Sequence, residues 1–386
     1  MIDRDRLLTD LRALVRTPSI NPSVDPDGEG ESEAAAYVAG AMEGLGLDVA
    51  RLETEPGRTS VVATLRGTGG GRSLMLNGHL DTVGVRGMPD PFSADLRDGR
   101  LYGRGAYDMK GAVAACMAAM RALSAGERPA GDVILTAVAD EEHASAGTAQ
   151  VLKHHRTDGC IVTEPTQLEL CIAHKGFVWV RVETRGRAAH GSRHREGIDA
   201  NVRMGRVLRE LEHLCERVVS GPTHPLLGPP SLHAATLRGG TGISTYAARC
   251  VLEIERRTLP GETPEQVMAE MDELLERLRA EDPDLEVGAE LLLAREPFQV
   301  AEDAPLPRLV AREAARATGA PVRVRGETYW MDAALTAAAG IETVVIGPRG
   351  EGAHAAEEWV DVESLVTLAD ILAGSARAYG SEPAGT

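Results

Sequence analysis

The order in which short apolar runs and helical patterns follow one another restricts the fold of this chain more than any other feature. Apolar runs typical of buried strands occur at residues 60–65, 74–80, 133–139, 159–163 and 343–346. Segments with apolar residues at helical spacing lie between most of these runs. Strands separated by helices predict an α/β fold with a mostly parallel central sheet.

A different pattern interrupts this alternation after Gly176. Val178, Val180 and Val182 alternate as in a half-buried strand, and the segment then continues as helix, strand, strand, helix, strand. This β-α-β-β-α-β order predicts a small α+β unit inserted into the first domain. We therefore predict a main domain in two parts, residues 1–176 and 295–386, and an inserted domain at residues 177–294. A Gly/Ser/Pro tail at 380–386 is expected to fray.

Composition excludes several classes of partner. The 386 residues suffice for two domains, and the formal net charge of −17 disfavours nucleic acids and anionic membranes, which would be repelled. The cysteines are scattered without a C-x-x-C pair, which is typical of buried thiols in a reducing cytosol. Because the chain shows neither a secretory signal nor an apolar stretch of membrane-spanning length, we expect a cytoplasmic protein.

A set of histidines and carboxylates falls just past predicted strands or at a turn into a helix. The set is His79, Asp108, Glu142, Glu164 and His354. Taken singly, each has an ordinary explanation, such as a surface histidine, a solvated acidic loop or, for Asp108, an N-cap of the following helix. Since ligands collect at the carboxyl edge of the strands in open α/β sheets, we predict that the five side chains meet there.

Three adjacent acids, Asp140, Glu141 and Glu142, follow the predicted strand at 133–139. Like charges at the end of a buried strand repel and lose hydration, and a cation would remove that cost. Neighbouring residues point in different directions, so one glutamate could bind a metal while the other faces an attacking water.

The charge count favours two divalent ions. Two zinc ions carry about +4 in total, which three carboxylates and a bridging hydroxide would neutralise. Two imidazoles with three carboxylates suit zinc or cobalt better than magnesium.

The chain resembles the zinc aminoacylase and carboxypeptidase family, which includes acetylornithine deacetylase, succinyl-diaminopimelate desuccinylase and dipeptidases. The resemblance extends from the first predicted helix to Glu358. It is carried by Gly78-His79-Leu80-Asp81-Thr82, the glycine-rich segment from Gly103 to Gly111, Asp140-Glu141-Glu142, Thr163-Glu164-Pro165 and Gly352-Ala353-His354. The fold it implies is a zinc-exopeptidase-like catalytic domain with an inserted lid, through which the family commonly forms a homodimer.

The resemblance also implies a ligand set of two Zn²⁺ per subunit, with Co²⁺ as a possible substitute. His79 and Glu164 would bind one ion, Glu142 and His354 the other, and Asp108 would bridge them. The remaining implied roles concern catalysis and geometry: Asp81 would orient His79, Glu141 would be the general base, and Asp108–Met109 is a candidate cis peptide.

Two residues of the inserted segment are assigned by the same resemblance. His190, in the segment from Gly186 to Ser192, would help to hold the developing oxyanion, often across the dimer. Arg257, in the segment from Glu255 to Gly261, would pair with a substrate carboxylate. The sequence departs from the family pattern at Ser244, Ala247 and residues 197–200, which touches substrate contacts rather than the metal chemistry.

The function implied is metal-dependent hydrolysis of the amide bond of an N-acyl-amino acid, with a dipeptidase or carboxypeptidase as the alternative. A non-catalytic homologue that binds peptides is less favoured because every ligand position is filled. A serine hydrolase is disfavoured since no G-x-S-x-G occurs. Asp332 is expected to be the N-cap of a short helix that ends at Gly340, with a position near the pocket left open.

Overall fold

The computed structural model describes residues 1–383, and these residues form two compact units. The first comprises Met1–Ile172, Val300–Arg325 and the described residues from Met331 onward, and the second comprises Ala173–Gln299 and Gly326–Trp330. The predicted domain ranges 1–176, 177–294 and 295–386 stay a prediction about folding units. Of the tail predicted to fray, Gly380 belongs to the last helix and residues 384–386 lie outside the described range.

The helices and strands are numbered here in chain order. The helices are α1 (Arg4–Arg16), α2 (Ser32–Glu43), α3 (Lys110–Ser124), α4 (Ala146–Val151), α5 (Ala200–Ser220), α6 (Pro264–Glu281), α7 (Pro305–Thr318), α8 (Ala333–Ala338) and α9 (Val362–Gly380). The strands are β1 (Asp48–Glu53), β2 (Thr59–Leu65), β3 (Leu74–His79), β4 (Asp95–Arg97), β5 (Arg100–Tyr102), β6 (Val133–Val138), β7 (Gly159–Val162), β8 (Leu170–His174), β9 (Gly176–Arg185), β10 (Ser231–Gly239), β11 (Arg249–Thr258), β12 (Val287–Arg295), β13 (Phe298–Gln299), β14 (Val324–Glu327), β15 (Glu342–Val345), β16 (Gly350–Glu351) and β17 (Trp359–Asp361).

The first unit is built on a mixed sheet in the order β1-β2-β6-β3-β7-β15-β8. The central pairs β6–β3, β3–β7 and β7–β15 are parallel, whereas β1–β2, β2–β6 and β15–β8 are antiparallel. The predicted α/β class is confirmed, but the sheet is mixed rather than mostly parallel, with parallel pairing confined to its centre. Because β6, β3 and β7 run side by side in one direction, the residues that follow them emerge along one edge.

Helix α3 shows how the first core is packed. Every residue from Lys110 to Met120 is buried, and most of these side chains are small. Small side chains let α3 lie close to β3, α1 and α9. Helix α1 buries Leu7, Leu11 and Leu14, and truncation of such a leucine to alanine costs about 2–5 kcal/mol. Tight packing around α3 therefore holds the loop that precedes it.

A small antiparallel sheet in the order β16-β17-β5-β4 also belongs to the first unit. Tyr102 of β5 pairs with Trp359 of β17. This pairing places the loop after β5 next to the loop between β16 and β17, although the two loops are far apart in the sequence.

The second unit has an antiparallel sheet in the order β10-β11-β9-β12. Helices α5 and α6 share a core with one face of this sheet, to which Val178, Val180 and Leu252 contribute. Thr263 begins α6 with a capping box completed by Gln266. The predicted β-α-β-β-α-β order is confirmed. Within the described residues, none of the helices has the length and apolar character needed to span a membrane.

Candidate metal centre

Three of the predicted ligands follow neighbouring parallel strands. His79 is the last residue of β3, Glu142 follows β6, and Glu164 follows β7. Asp140 turns the chain after β6 with a left-handed backbone, φ 69°. A non-glycine residue adopts this conformation only where its surroundings hold it.

The other two ligands come from the loops that the small sheet brings together. Asp108 lies in the glycine-rich loop after β5, and His354, with φ 61°, lies between β16 and β17. The peptide bond Asp108–Met109 is cis, as the resemblance implies. The alternative that Asp108 caps α3 is wrong, because the N-cap is Met109 and no side-chain capping bond is made.

The five side chains form two groups that share Asp108. In the first group, His79 Nε2 lies 3.1 Å from Asp108 Oδ1 and 3.6 Å from Glu164 Oε1. In the second, His354 Nε2 lies 3.3 Å from Asp108 Oδ2 and 3.0 Å from Glu142 Oε2. The two oxygens of Asp108 thus face different groups, which is the geometry that a carboxylate bridging two cations needs.

The donor set fits cations. Glu142 Oε1 is buried and finds no hydrogen-bond partner among the described residues, a costly arrangement for a carboxylate oxygen. The ion pairs of the described residues give Asp108, Glu142 and Glu164 only histidine partners, neither arginine nor lysine. Imidazole nitrogens with carboxylate oxygens suit zinc and related transition metals.

Charge crowding at this edge perturbs the carboxyl groups. Burial, reinforced by the charge of Glu164, raises the pKa of Glu141 well above its ordinary value. Burial and Asp108 raise the pKa of Glu142. For Glu164, burial outweighs the nearby His79 and the pKa is again raised well above the usual range. Each shift disfavours the negative form, and a bound cation would favour it.

The pKa values of the two imidazoles are also raised, which for a histidine favours the charged form. Burial opposes the charged form of His79, but Glu164 and Asp108 raise its pKa well above the ordinary value. Hydrogen bonds to Asp108 and Glu142 raise the pKa of His354 to about 10. A cation bound between these side chains would take the place of the histidine protons.

Asp81 orients His79 differently from the expectation. The nearest acceptor to His79 Nδ1 is the backbone carbonyl of Asp81 at 2.9 Å, and the Asp81 carboxylate is 3.5 Å away. That carboxylate accepts the backbone N–H groups of Glu141 at 3.1 Å and Glu142 at 3.0 Å. Through these two hydrogen bonds, Asp81 links residues 140–142 to the end of β3.

A buried carboxylate that the sequence analysis missed supports Asp108. Glu358 accepts the backbone N–H groups of Gly105, Tyr107 and Asp108, and it accepts Arg104 Nη1 at 2.6 Å. Arg104 also donates to the carbonyl of Ala355, beside His354. The only signal in the sequence was an acidic residue directly before a short strand, which does not reveal such a role.

The predicted N-cap position of Asp332 is confirmed, but its side chain bonds elsewhere. Asp332 stands at the start of α8 but makes no side-chain capping bond. Its carboxylate accepts the Thr148 hydroxyl at 2.5 Å, and burial raises its pKa to about 6. Because the side chain faces α4 rather than its own helix, Asp332 contacts the element that follows the acidic segment.

The two remaining predicted residues lie in the second unit. His190 is exposed and its Nδ1 lies 2.8 Å from Ser192 Oγ. Arg257 is paired with Glu255 at 2.8 Å and lies over the ring of Phe177. The five ligands, Glu141 and Asp81 all belong to the first unit, so the roles of His190 and Arg257 stay predictions.

Known proteins resemble this chain along most of its length. A model of the peptidase family M20/M25/M40 matches residues 75–378. The acetylornithine deacetylase of Myxococcus xanthus is 31% identical over 95% of this chain and 94% of its own length. The N-formyl-4-amino-5-aminomethyl-2-methylpyrimidine deformylase of Halalkalibacterium halodurans is 30% identical over 95% of this chain and 94% of its own.

A solved structure shares the fold. A dinuclear metal-binding peptidase from Bacillus subtilis superposes with a TM-score of 0.75 at 16% identity, over 97% of this chain and 98% of that chain.

Proposed function

The chain belongs to peptidase family M20/M25/M40, and on this premise we propose that it hydrolyses the amide bond of N-acyl-amino acids as an acetylornithine deacetylase-like deacylase. Its membership confirms the resemblance predicted from the motifs. The protein is a metal-binding hydrolase that acts on amides or peptides. The proposal adds that the substrate is an N-acyl-amino acid, and the similarity to the acetylornithine deacetylase of Myxococcus xanthus supports this substrate class.

The metal part of the proposal is a pair of zinc ions, for which cobalt would substitute. His79 and Glu164 would hold one ion, His354 and Glu142 the other, and Asp108 both. When bound, such ions lower the pKa of a water towards neutrality and polarise an amide carbonyl. The two oxygens of Asp108, each facing a different histidine, are the single observation that carries this assignment.

Glu141 is the proposed general base. It belongs to neither metal-binding group, yet its Oε2 lies 3.9 Å from His79 Nε2. A raised pKa matches a carboxylate that takes a proton from the attacking water and then gives it to the leaving nitrogen. Asp81 holds the backbone N–H of Glu141 and so limits where its side chain can reach.

The second unit would supply recognition. A forked guanidinium at Arg257 suits the carboxylate of the amino-acid half, and His190 would donate to the oxyanion as it forms. As part of the same proposal, the protein is a cytoplasmic homodimer that pairs through this unit. A dipeptidase or carboxypeptidase remains the alternative, because those enzymes also cleave an amide beside a free carboxylate.

A hydrolysis screen tests the proposal. Zinc-loaded and cobalt-loaded protein is incubated with N-acetyl-, N-succinyl- and N-formyl-amino acids and with dipeptides, and the Glu141→Ala protein is the control. We expect release of the free amino acid from an acylated one. Hydrolysis of dipeptides alone would replace the deacylase with the alternative, and equal rates with Glu141→Ala would reject the site.

A further inference from the structure

The acidic segment, residues 140–142, is hydrogen-bonded to residues that follow α1, which come before the sheet in the sequence. Asn21 is fully buried, and its backbone N–H donates to the carbonyl of Thr82 at 2.9 Å. Ser19 Oγ donates to the carbonyl of Leu80 at 2.6 Å. These bonds fasten the residues after α1 to the chain that leaves β3, directly behind His79.

The side-chain amide of Asn21 joins two carboxylates. Its Nδ2 donates to Asp81 Oδ2 at 2.8 Å and to Asp140 Oδ1 at 3.2 Å. Its Oδ1 accepts the backbone N–H of Ser23 at 2.9 Å, which fixes the orientation of the amide. The reverse orientation would turn an oxygen towards two carboxylates. Both hydrogens of one nitrogen are therefore used to hold two acids together.

Both acids act on the segment that carries the proposed base and a metal ligand. Asp81 accepts the N–H groups of Glu141 and Glu142, one on each oxygen. Asp140 Oδ2 accepts the N–H of Ala146, and its backbone is left-handed. Fixing Asp81 and Asp140 thus fixes the backbone of Glu141 and Glu142 from both sides.

Arg58 closes the network on the far side of Asp140. It forks onto Glu31 through Nε and Nη2, and Nη2 also donates to Asp140 Oδ1 at 2.8 Å. Arg58 and Glu31 are buried. This guanidinium places positive charge beside Asp140, whose Oδ1 accepts hydrogen bonds from both Arg58 and Asn21.

We propose that Asn21 is a positioning residue of the metal centre, one that aligns Glu141 and Glu142 by holding Asp81 and Asp140 with a single amide nitrogen. The inference rests on the proposed function, on amide hydrolysis for its catalytic part and on the two-ion site for its metal part. Its metal part concerns the geometry of Glu142 and His79 and is measurable without any substrate.

The test replaces Asn21 by leucine, which keeps the approximate shape and removes both donors. Zinc affinity of the full-length protein is measured by calorimetry, the absorption spectrum is recorded after loading with cobalt, and kcat and KM are measured on the best substrate of the screen. Losses of roughly 10- to 100-fold are expected in metal affinity or kcat, as for other residues that support metal ligands. We expect KM to change little and the cobalt spectrum to change.

The matched control is Tyr37→Phe. Tyr37 donates its hydroxyl to the buried Asp10 at 2.8 Å, so this change also removes one hydrogen bond to a buried carboxylate, but between α2 and α1. Should Asn21→Leu fail to fold, Asn21→Ser keeps one hydrogen, which can satisfy only one carboxylate, and smaller losses of the same kind are expected.

Each outcome decides the matter. Wild-type zinc affinity, cobalt spectrum and kcat in a folded Asn21 variant would overturn the proposal, as would losses no larger than those of Tyr37→Phe. If the wild-type protein cleaves no amide in the screen and Asn21→Leu still weakens zinc binding while Tyr37→Phe does not, the positioning role stands and the proposed function fails.

Discussion

Two regions of this protein hold acidic side chains in opposite ways, one exposed beside arginines and the other buried beside histidines. On the open face of the sheet in the second unit, Arg181 pairs with Glu253 at 3.1 Å and Arg249 pairs with Glu183 at 2.6 Å. All four side chains are partly exposed, from 21% to 62%. At the sheet edge of the first unit, Asp108, Glu142 and Glu164 are 15% exposed or less, and their ion pairs within residues 1–383 are with imidazoles alone.

This difference in exposure and in ion-pair partners distinguishes a solvated surface from a candidate metal site. Exposed acids that alternate with arginines are neutralised by their neighbours and by water, and such pairs contribute little to stability. At the sheet edge, burial raises the pKa values of Glu142 and Glu164, whereas for Asp108 burial is outweighed by hydrogen bonds to the two histidines, which lower the pKa of that carboxyl group. The protein tolerates the cost of such buried acids where a cation offsets it. Burial together with the identity of the partners distinguishes the two regions.

The largest expected effect comes from Glu141. Glu141→Gln removes the proposed base, so kcat should fall roughly 10²- to 10⁴-fold while elemental analysis finds unchanged metal. Glu253→Gln, on the open face, is the control and should leave kcat unaltered. Comparable rates for Glu141→Gln and the wild type would show that Glu141 is not the general base, and that the buried acids are no more important for activity than the exposed ones.

The second-largest expected effect is a loss in the free energy of unfolding when Glu358 is replaced. Glu358→Leu leaves the buried Arg104 without its carboxylate, and loss of one partner of a buried pair costs about 3–5 kcal/mol. Urea unfolding measures the free energy of unfolding, with Glu253→Leu on the open face as the matched change. Equal losses for the two variants would contradict the contrast between buried and exposed pairs.

Removal of metal should lower the free energy of unfolding by a smaller amount, because it affects only the site at the sheet edge of the first unit. At a metal concentration about 100 times the dissociation constant, binding adds about 2.7 kcal/mol to the free energy of unfolding. A chelator should therefore lower the unfolding midpoint of the wild type, and His354→Ala should retain less metal by elemental analysis. An unchanged midpoint with chelator, together with full metal content in His354→Ala, would count against the ligand assignment.

The smallest effect belongs to the open face itself. Arg181→Ala breaks one partly exposed pair, and the coupling energy between Arg181 and Glu253 in a double-mutant cycle should be about 0.2–1 kcal/mol. The cycle is measured by urea unfolding with and without added salt, and salt should reduce the coupling. A coupling several times larger would show that this face is not simply solvated.

Much of the architecture could be predicted because its signals are local. The apolar alternation of β9 depends on neighbouring residues only, and it appears as expected. The capping box of α6 is equally local. The direction of the outer strands could not be read in this way. Strand β2 is buried like β6, but its antiparallel pairing depends on which strand lies beside it.

The supporting residues of the site escaped sequence reasoning for a related reason. Asn21 and Glu358 are single polar residues without a motif of their own, and their partners are distant in the sequence. Asp332 has the position of an N-cap, so its local pattern predicts the wrong partner. Hydrogen bonds between distant residues depend on folding and leave no periodic signal in the chain.

By itself, the sequence determined the fold class, the family motifs and the identity of the five candidate ligands, because residue type and short-range spacing carry that information. Only the tertiary structure decided that Asp108 turns one oxygen to each histidine and that Asn21 and Glu358 hold the loops around it. The physical reason is that hydrogen bonds and charge interactions act over a few ångströms of space, whatever the separation along the chain.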